Sequence, residues 1–216
     1  MRFLLDRCFS LSYSSIILLI YKIHSNFINR RFFMSSLITQ FAPEFTAQAI
    51  MPDKSFGTVS LKDYRGKYVV LFFYPLDFSF VCPTELHGFS DAIADFESRN
   101  VQVLACSTDS QYSHLAWVNA PRENGGLGQL TYPLISDFDK EISRAYGILL
   151  PGGMALRGLF LIDKDGIVRH ETINDLPFGR NVDEELRMVD ALQFYEQYGE
   201  VCPVNWKRGD GGIKTA

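Results

Sequence analysis

The stretch Val69-Val70-Leu71-Phe72-Phe73-Tyr74-Pro75, continued as Leu76-Asp77-Phe78-Ser79-Phe80-Val81-Cys82-Pro83-Thr84-Glu85, decides how this chain folds. The apolar run predicts a buried strand, and Pro75 stops it, because proline cannot donate to a ladder. From Thr84 to Arg99, Leu86, Phe89, Ile93 and Phe96 recur at helical spacing and predict an amphipathic helix. Pro83 suits the first turn of that helix. Cys82 therefore stands at a strand-to-helix junction, beside unpaired backbone N–H groups and the positive end of a helix dipole. Such a place favours the thiolate, which is the nucleophilic form of cysteine. Ser79, three residues earlier, can put a hydroxyl beside that sulfur.

Outward from this stretch, strand and helix signals alternate. Val101–Ser107, Tyr132–Ser136 and Gly158–Ile162 are strand-like, whereas Ser110–Val118, Lys140–Tyr146 and Val182–Gln197 are helix-like. Asp163-Lys164-Asp165-Gly166 carries the Asp-Gly signal of a hairpin, which leads into a further strand over Ile167–Thr172. Alternating elements that end in a hairpin predict an α/β fold, a central mixed sheet flanked by helices. The segment Lys207–Ala216 reads as a flexible tail.

A length of 216 residues suits one domain with extensions, and 47% apolar with 21% charged residues is the balance of a soluble globular protein. The charge is uneven. Residues 1–33 sum to +4 through Arg2, Arg7, Lys22, Arg30 and Arg31 against Asp6, and the remainder sums to −8. An acidic body argues against nucleic acid as a partner. The apolar patch Ile16–Tyr21 is too short to span a bilayer, so no stable membrane insertion is expected. Three readings of residues 1–33 stay open: a start at Met34, an organelle transit peptide, or a signal or anchor segment. The expected division is residues 1–33 as an extension, 34–200 as the folded domain, and 201–216 as a C-terminal tail. Cytoplasmic residence is expected, with organelle targeting through residues 1–33 as the alternative.

Cysteines 8, 82, 106 and 202 are too widely spread for a zinc site or for a secreted disulfide scaffold. No metal and no cofactor is expected. Cys106 lies in an apolar strand and reads as structural. Histidines 24, 87, 114 and 170 show no metal-ligand spacing, and His87 and His114 read as helix-surface residues.

Pro-x-x-x-Ser-x-x-Cys, running from Pro75 to Cys82 and continued as Pro83-Thr84-Glu85-Leu86, resembles the active-site motif of the peroxiredoxins, most nearly the typical two-cysteine branch that includes the peroxidase component of alkyl hydroperoxide reductase. Gly199-Glu200-Val201-Cys202-Pro203-Val204-Asn205-Trp206 resembles the resolving-cysteine segment of that branch. Ala155-Leu156-Arg157-Gly158-Leu159-Phe160 resembles its arginine-bearing strand.

The resemblance implies a thioredoxin-like fold with a C-terminal extension, and a thiol peroxidase acting on hydrogen peroxide and organic hydroperoxides in antioxidant defence. The Cys82 thiolate would attack the distal peroxide oxygen, becoming a sulfenic acid and releasing water or an alcohol. Arg157 would hold the thiolate charge and bind the peroxide. Ser79 would hydrogen-bond the sulfur and the peroxide oxygens, and Pro75 would shield the sulfur. Glu85 would orient the arginine, while Tyr74 would either hydrogen-bond nearby or serve as a core aromatic. The resemblance further implies that Cys202 pairs with Cys82 of another subunit in an obligate homodimer, one unit of a ring. Thioredoxin or a dedicated flavoprotein reductase would reduce that disulfide. Disulfide formation needs the two Cα atoms within about 7 Å, so a Cys82 held in a helical first turn must unwind.

Gly125-Gly126-Leu127-Gly128 matches a loop of family members sensitive to overoxidation, but no Tyr-Phe helix follows Cys202, which predicts tolerance of peroxide. Two other functional classes make distinct demands. A holdase chaperone should protect clients even as Cys82→Ser. A dithiol-disulfide oxidoreductase needs Cys-x-x-Cys at the helix start, where this chain has Glu85.

Overall fold

The computed structural model describes residues 36–215; the expectations placed on residues 1–33, with Cys8, lie outside them. Among the described residues, seven strands form one mixed sheet in the order β2-β1-β5-β4-β3-β6-β7. They are β1 (Thr46–Ile50), β2 (Phe56–Ser60), β3 (Tyr68–Phe73), β4 (Val101–Ser107), β5 (Leu134–Ser136), β6 (Arg157–Ile162) and β7 (Val168–Asn174). The helices are α1 (Cys82–Asp91), α2 (Ile93–Glu97), α3 (Gln111–Asn119), α4 (Glu141–Ala145) and α5 (Val182–Tyr198). This is the mixed α/β architecture that the sequence predicts.

The decisive apolar run is central in the sheet. All six residues of β3 are buried, and β3 lies parallel to β4 on one side and antiparallel to β6 on the other. Because side chains alternate along a strand, Val70 and Phe72 feed one core while Val69, Leu71 and Phe73 feed the other. The first core holds Phe72 stacked on Phe89 of α1, with ring centroids 4.3 Å apart, and extends to Phe96 and Trp117. A fully buried side chain of this size is worth roughly 2–3 kcal/mol, so the face of α1 carrying Leu86 and Phe89 is driven onto the sheet.

Three expectations change. The single helix over Thr84–Arg99 is two, broken at Ala92, whose φ of −89° and ψ of 7° leave the helical region. The break keeps Phe89 and Phe96 on the same core, with rings 5.9 Å apart. The hairpin β1–β2 is an addition: only Ala49, Ile50 and Val59 in it are buried hydrophobics, too little apolar patterning to mark it in the sequence. Third, the tail folds back on itself: Val201 and Ile213 exchange both backbone hydrogen bonds, at 3.0 and 2.9 Å. Trp206, 2% exposed, packs on Phe194 and donates from Nε1 to the Asp210 carbonyl.

The hairpin at Asp163–Gly166 forms as expected. Gly166 has a φ of +84°, a left-handed conformation open to glycine, and Asp163 Oδ1 accepts from the backbone of Asp165 and Ile167. No described helix is long and apolar enough to cross a membrane.

Candidate active site

Cys82 is the first residue of α1, directly after the loop that leaves β3, and is fully buried. Pro83 occupies the first helical turn, where a missing N–H costs nothing. The helix dipole therefore points its positive end at the sulfur. Antiparallel pairing of β6 with β3 sets Arg157, at the start of β6, beside that helix end. Arg157 Nη1 lies 3.5 Å from Cys82 Sγ and 2.6 Å from Glu85 Oε2, and its Nε donates to the Leu176 carbonyl at 2.7 Å.

Glu85 sits one turn into α1 and is shared by two arginines. Its Oε1 accepts from the Arg180 backbone N–H at 2.9 Å and from Arg180 Nε at 2.7 Å. Arg180 Nη1 donates to the Gly158 carbonyl, and the guanidinium lies over the Phe72 ring at 5.0 Å. The side chains of Arg157, Glu85 and Arg180 are 4%, 3% and 0% exposed. Two buried guanidiniums thus face one carboxylate, with the Cys82 sulfur beside Arg157. Arg180 escapes a reading of the sequence: a lone arginine before a helix start carries no motif, and only the chain's return to α1 reveals it.

The remaining expected residues fall around this cluster. Pro75 is buried at the end of β3, and Ser79 lies in the loop with its Oγ donating to the Leu76 carbonyl at 2.9 Å. Tyr74 is both a core aromatic and a hydrogen-bond donor, giving its OH to Asp77 Oδ1 at 2.8 Å; burial pushes its phenol well above the ordinary range. Cys106 is buried in β4, where desolvation pushes the thiol up, in keeping with a structural role. Cys202 is not brought to Cys82 within one chain. It follows α5, its Sγ lies 3.6 Å from the Ala191 carbonyl, and all three described cysteines are free thiols.

His114 departs from the expectation of a surface residue. It is fully buried on the inner face of α3, bonded to Asp77 and to the Ile135 carbonyl. His87 is partly buried and meets the Leu127 carbonyl at 3.0 Å. Among the described residues no three His, Cys, Asp or Glu side chains are grouped to hold a metal.

Known proteins resemble this chain in sequence and in fold. The model of the AhpC/TSA family matches residues 38–171, and that of the C-terminal domain of 1-Cys peroxiredoxin matches residues 191–216. The chain belongs to the AhpC/TSA family of peroxiredoxins. It is 56% identical over 178 residues to the mitochondrial thioredoxin-dependent peroxide reductase of Bos taurus, covering 82% of this chain and 69% of that one. With the chloroplastic 2-cysteine peroxiredoxin of Chattonella marina var. antiqua the identity is 56% over 183 residues, covering 84% and 93% of the two chains. Among solved structures, the reduced Plasmodium vivax 2-Cys peroxiredoxin superposes with a TM-score of 0.83 at 46% identity, covering 84% of this chain and 95% of that one. As a peroxiredoxin, the chain has the thioredoxin-like fold expected of it, and the C-terminal match spans Cys202.

Proposed function

We propose that this peroxiredoxin is a thiol peroxidase in which Cys82 is the peroxidatic residue. The observation that carries the reading is Arg157 Nη1, 3.5 Å from Cys82 Sγ at a helix N-terminus. A buried thiolate needs a fixed cation, and Arg157 supplies one, together with donors for the peroxide oxygens. Cys82 attacks the distal oxygen, the O–O bond breaks, and water or an alcohol leaves. Glu85 and Arg180 hold Arg157 in place; Pro75 shelters the sulfur and Ser79 offers a hydroxyl on the loop.

Cys202 is the resolving thiol in this proposal, acting on Cys82 of a second copy in a homodimer that assembles into rings. Its thiol attacks the Cys82 sulfenic acid, releasing water and leaving an intersubunit disulfide. The names of similar proteins, thioredoxin-dependent peroxide reductases among them, support thioredoxin as the dithiol reductant. A flavoprotein reductase remains the competing donor, and assay with each separates them.

One equivalent of hydrogen peroxide followed by a non-reducing gel tests the cycle. A dimer band in wild type that dithiol clears, absent from Cys82→Ser and Cys202→Ser, supports it. A monomeric wild type with sulfenic acid at Cys82 removes Cys202 from the mechanism.

Two compartments are in play: cytoplasm for a chain beginning at Met34, an organelle for one that keeps residues 1–33. The basic character of residues 1–33 and the mitochondrial and chloroplastic names among similar proteins favour the second. Fusing residues 1–40 to a fluorescent protein decides between them.

A further inference from the structure

Cys202 is held by a bond that needs its proton. Its Sγ lies 3.6 Å from the Ala191 carbonyl oxygen of α5. A carbonyl only accepts, so the contact exists while the sulfur is a thiol and is lost when it ionises. Attack on a sulfenic acid uses the thiolate. A sulfur that rests against a helix carbonyl therefore needs a nearby positive charge before it can act.

That charge lies one turn earlier on the same helix. Glu184, Arg187 and Ala191 recur at spacings of three and four and share one face of α5. Arg187 Nη1 donates to the Trp206 carbonyl at 3.2 Å, so the guanidinium is tied to the segment that carries Cys202. Trp206 is itself fixed by its packing on Phe194, with ring centroids 5.0 Å apart. The other edge of the guanidinium, Nε and Nη2, donates to the two oxygens of Glu184 at 2.6 and 2.7 Å. The remaining charges around the tail have partners of their own. Arg99 and Arg208 meet Asp190, Lys214 meets Glu200, and Asp210 accepts from the Lys207 backbone N–H. Asp183 and the Lys207 side chain line the groove between α5 and the tail. Burial raises the Cys202 thiol, and Arg187 is the charge that draws it down.

We propose that Arg187 is a positioning residue for the resolving step: it holds the Cys202 segment against α5 and supplies the positive charge under which the sulfur ionises and leaves the Ala191 carbonyl. The proposal rests on the reading of Cys202 as the resolving thiol given above. Release and activation are then one event. Loss of the proton breaks the contact with Ala191 and creates the nucleophile. The thiolate attacks the sulfenic sulfur of Cys82, the S–S bond forms, and the departing hydroxide takes up a proton as water. Glu184 opposes Arg187, because its carboxylate offsets part of the positive charge that the sulfur meets.

The pH profile of alkylation by iodoacetamide tests this in a Cys82→Ser background, with the labelled peptide mapped to Cys202. Arg187→Gln removes the charge. Its rate at pH 7 should fall about threefold, an alkaline shift of about half a unit, and should rejoin the parent rate at the alkaline limit. Arg187→Lys keeps the charge and should keep the parent profile. Glu184→Gln uncovers the charge and should raise the rate at pH 7 by about threefold. In the chain with Cys82 intact, disulfide formation after one equivalent of peroxide should show the same alkaline shift in Arg187→Gln. A merely structural Arg187 would alter access to the sulfur and scale the rate equally at every pH, a result that overturns the proposal. A parent profile in Arg187→Gln overturns it too, as does a Glu184→Gln that slows. Circular dichroism verifies folding, and if Arg187→Gln does not fold, the opposite sign expected of Glu184→Gln decides. A wild type that forms no disulfide between Cys82 and Cys202 refutes the underlying reading instead, a result distinct from all of these.

Discussion

One nitrogen of Arg157 faces both Cys82 and Glu85: Nη1 is 3.5 Å from the sulfur and 2.6 Å from the carboxylate oxygen. The carboxylate does not neutralise the arginine for the sulfur's purposes, because the other oxygen of Glu85 is taken by Arg180. Two buried positive charges thus meet one carboxylate beside the Cys82 sulfur.

Arg157→Lys keeps the charge but not the planar fork that reaches sulfur, Glu85 and the Leu176 carbonyl together. The second-order rate with hydrogen peroxide should fall about a hundredfold, in the range seen when a preorganised donor is removed. Competition against a reporter peroxidase measures it. An unchanged rate would take Arg157 out of the chemistry.

Glu85→Ala should cost stability before anything else. It leaves two guanidiniums, 4% and 0% exposed, without their shared partner, a loss of about 3–5 kcal/mol. For a domain of this size the melting temperature should fall by roughly 10 °C. Glu85→Gln, which can still accept from either arginine, should lose less. Calorimetry on both variants checks the order.

Cys202 gives the pH prediction. Burial pushes its thiol up, and the nearby Arg187 only partly opposes this. A raised value means that the thiol is protonated at neutral pH and ionises only in alkaline solution. In Cys82→Ser, alkylation of Cys202 by iodoacetamide should therefore rise about tenfold per unit from pH 7 to pH 9, because only the thiolate reacts. A rate that plateaus by pH 7 contradicts the assignment. Mapping the labelled peptides separates Cys202 from Cys106, which its strand keeps buried.

Gly126 is the position where a side chain has no room. A Cβ there would lie 1.9 Å from the Ala120 carbonyl oxygen, while the Gly126 N–H is already given to the Pro121 carbonyl. Gly126→Ala must displace the turn that seats buried Leu127, so a loss of about 2 kcal/mol is expected, a fall of roughly 5 °C in melting temperature. Gly125→Ala meets no atom within 4 Å and should cost less, its positive φ being the only penalty.

Short-range chemistry alone writes part of this protein into its chain. The unbroken apolar run of β3 could only be a buried strand, Pro75 had to end it, and Pro83 had to open a helix at Cys82. These follow from side-chain hydrophobicity and from the fixed φ and missing N–H of proline, which are properties of neighbouring residues. Arg157 and Cys202 were legible only through resemblance, since nothing local distinguishes them from a strand arginine or a tail cysteine. The remainder came from packing between distant segments. The antiparallel return of β6 against β3 brought Arg157 to the sulfur, the chain before α5 brought Arg180 to Glu85, and burial on α3 turned His114 from an expected surface residue into Asp77's partner. The break at Ala92 and the closed tail belong to the same class, because each follows from which surfaces meet. Contacts between residues 22 to 95 positions apart, like those of Arg157, Arg180 and His114, leave no periodic mark on the chain. They exist only once the sheet has set its strand order, and that order is where the site is assembled.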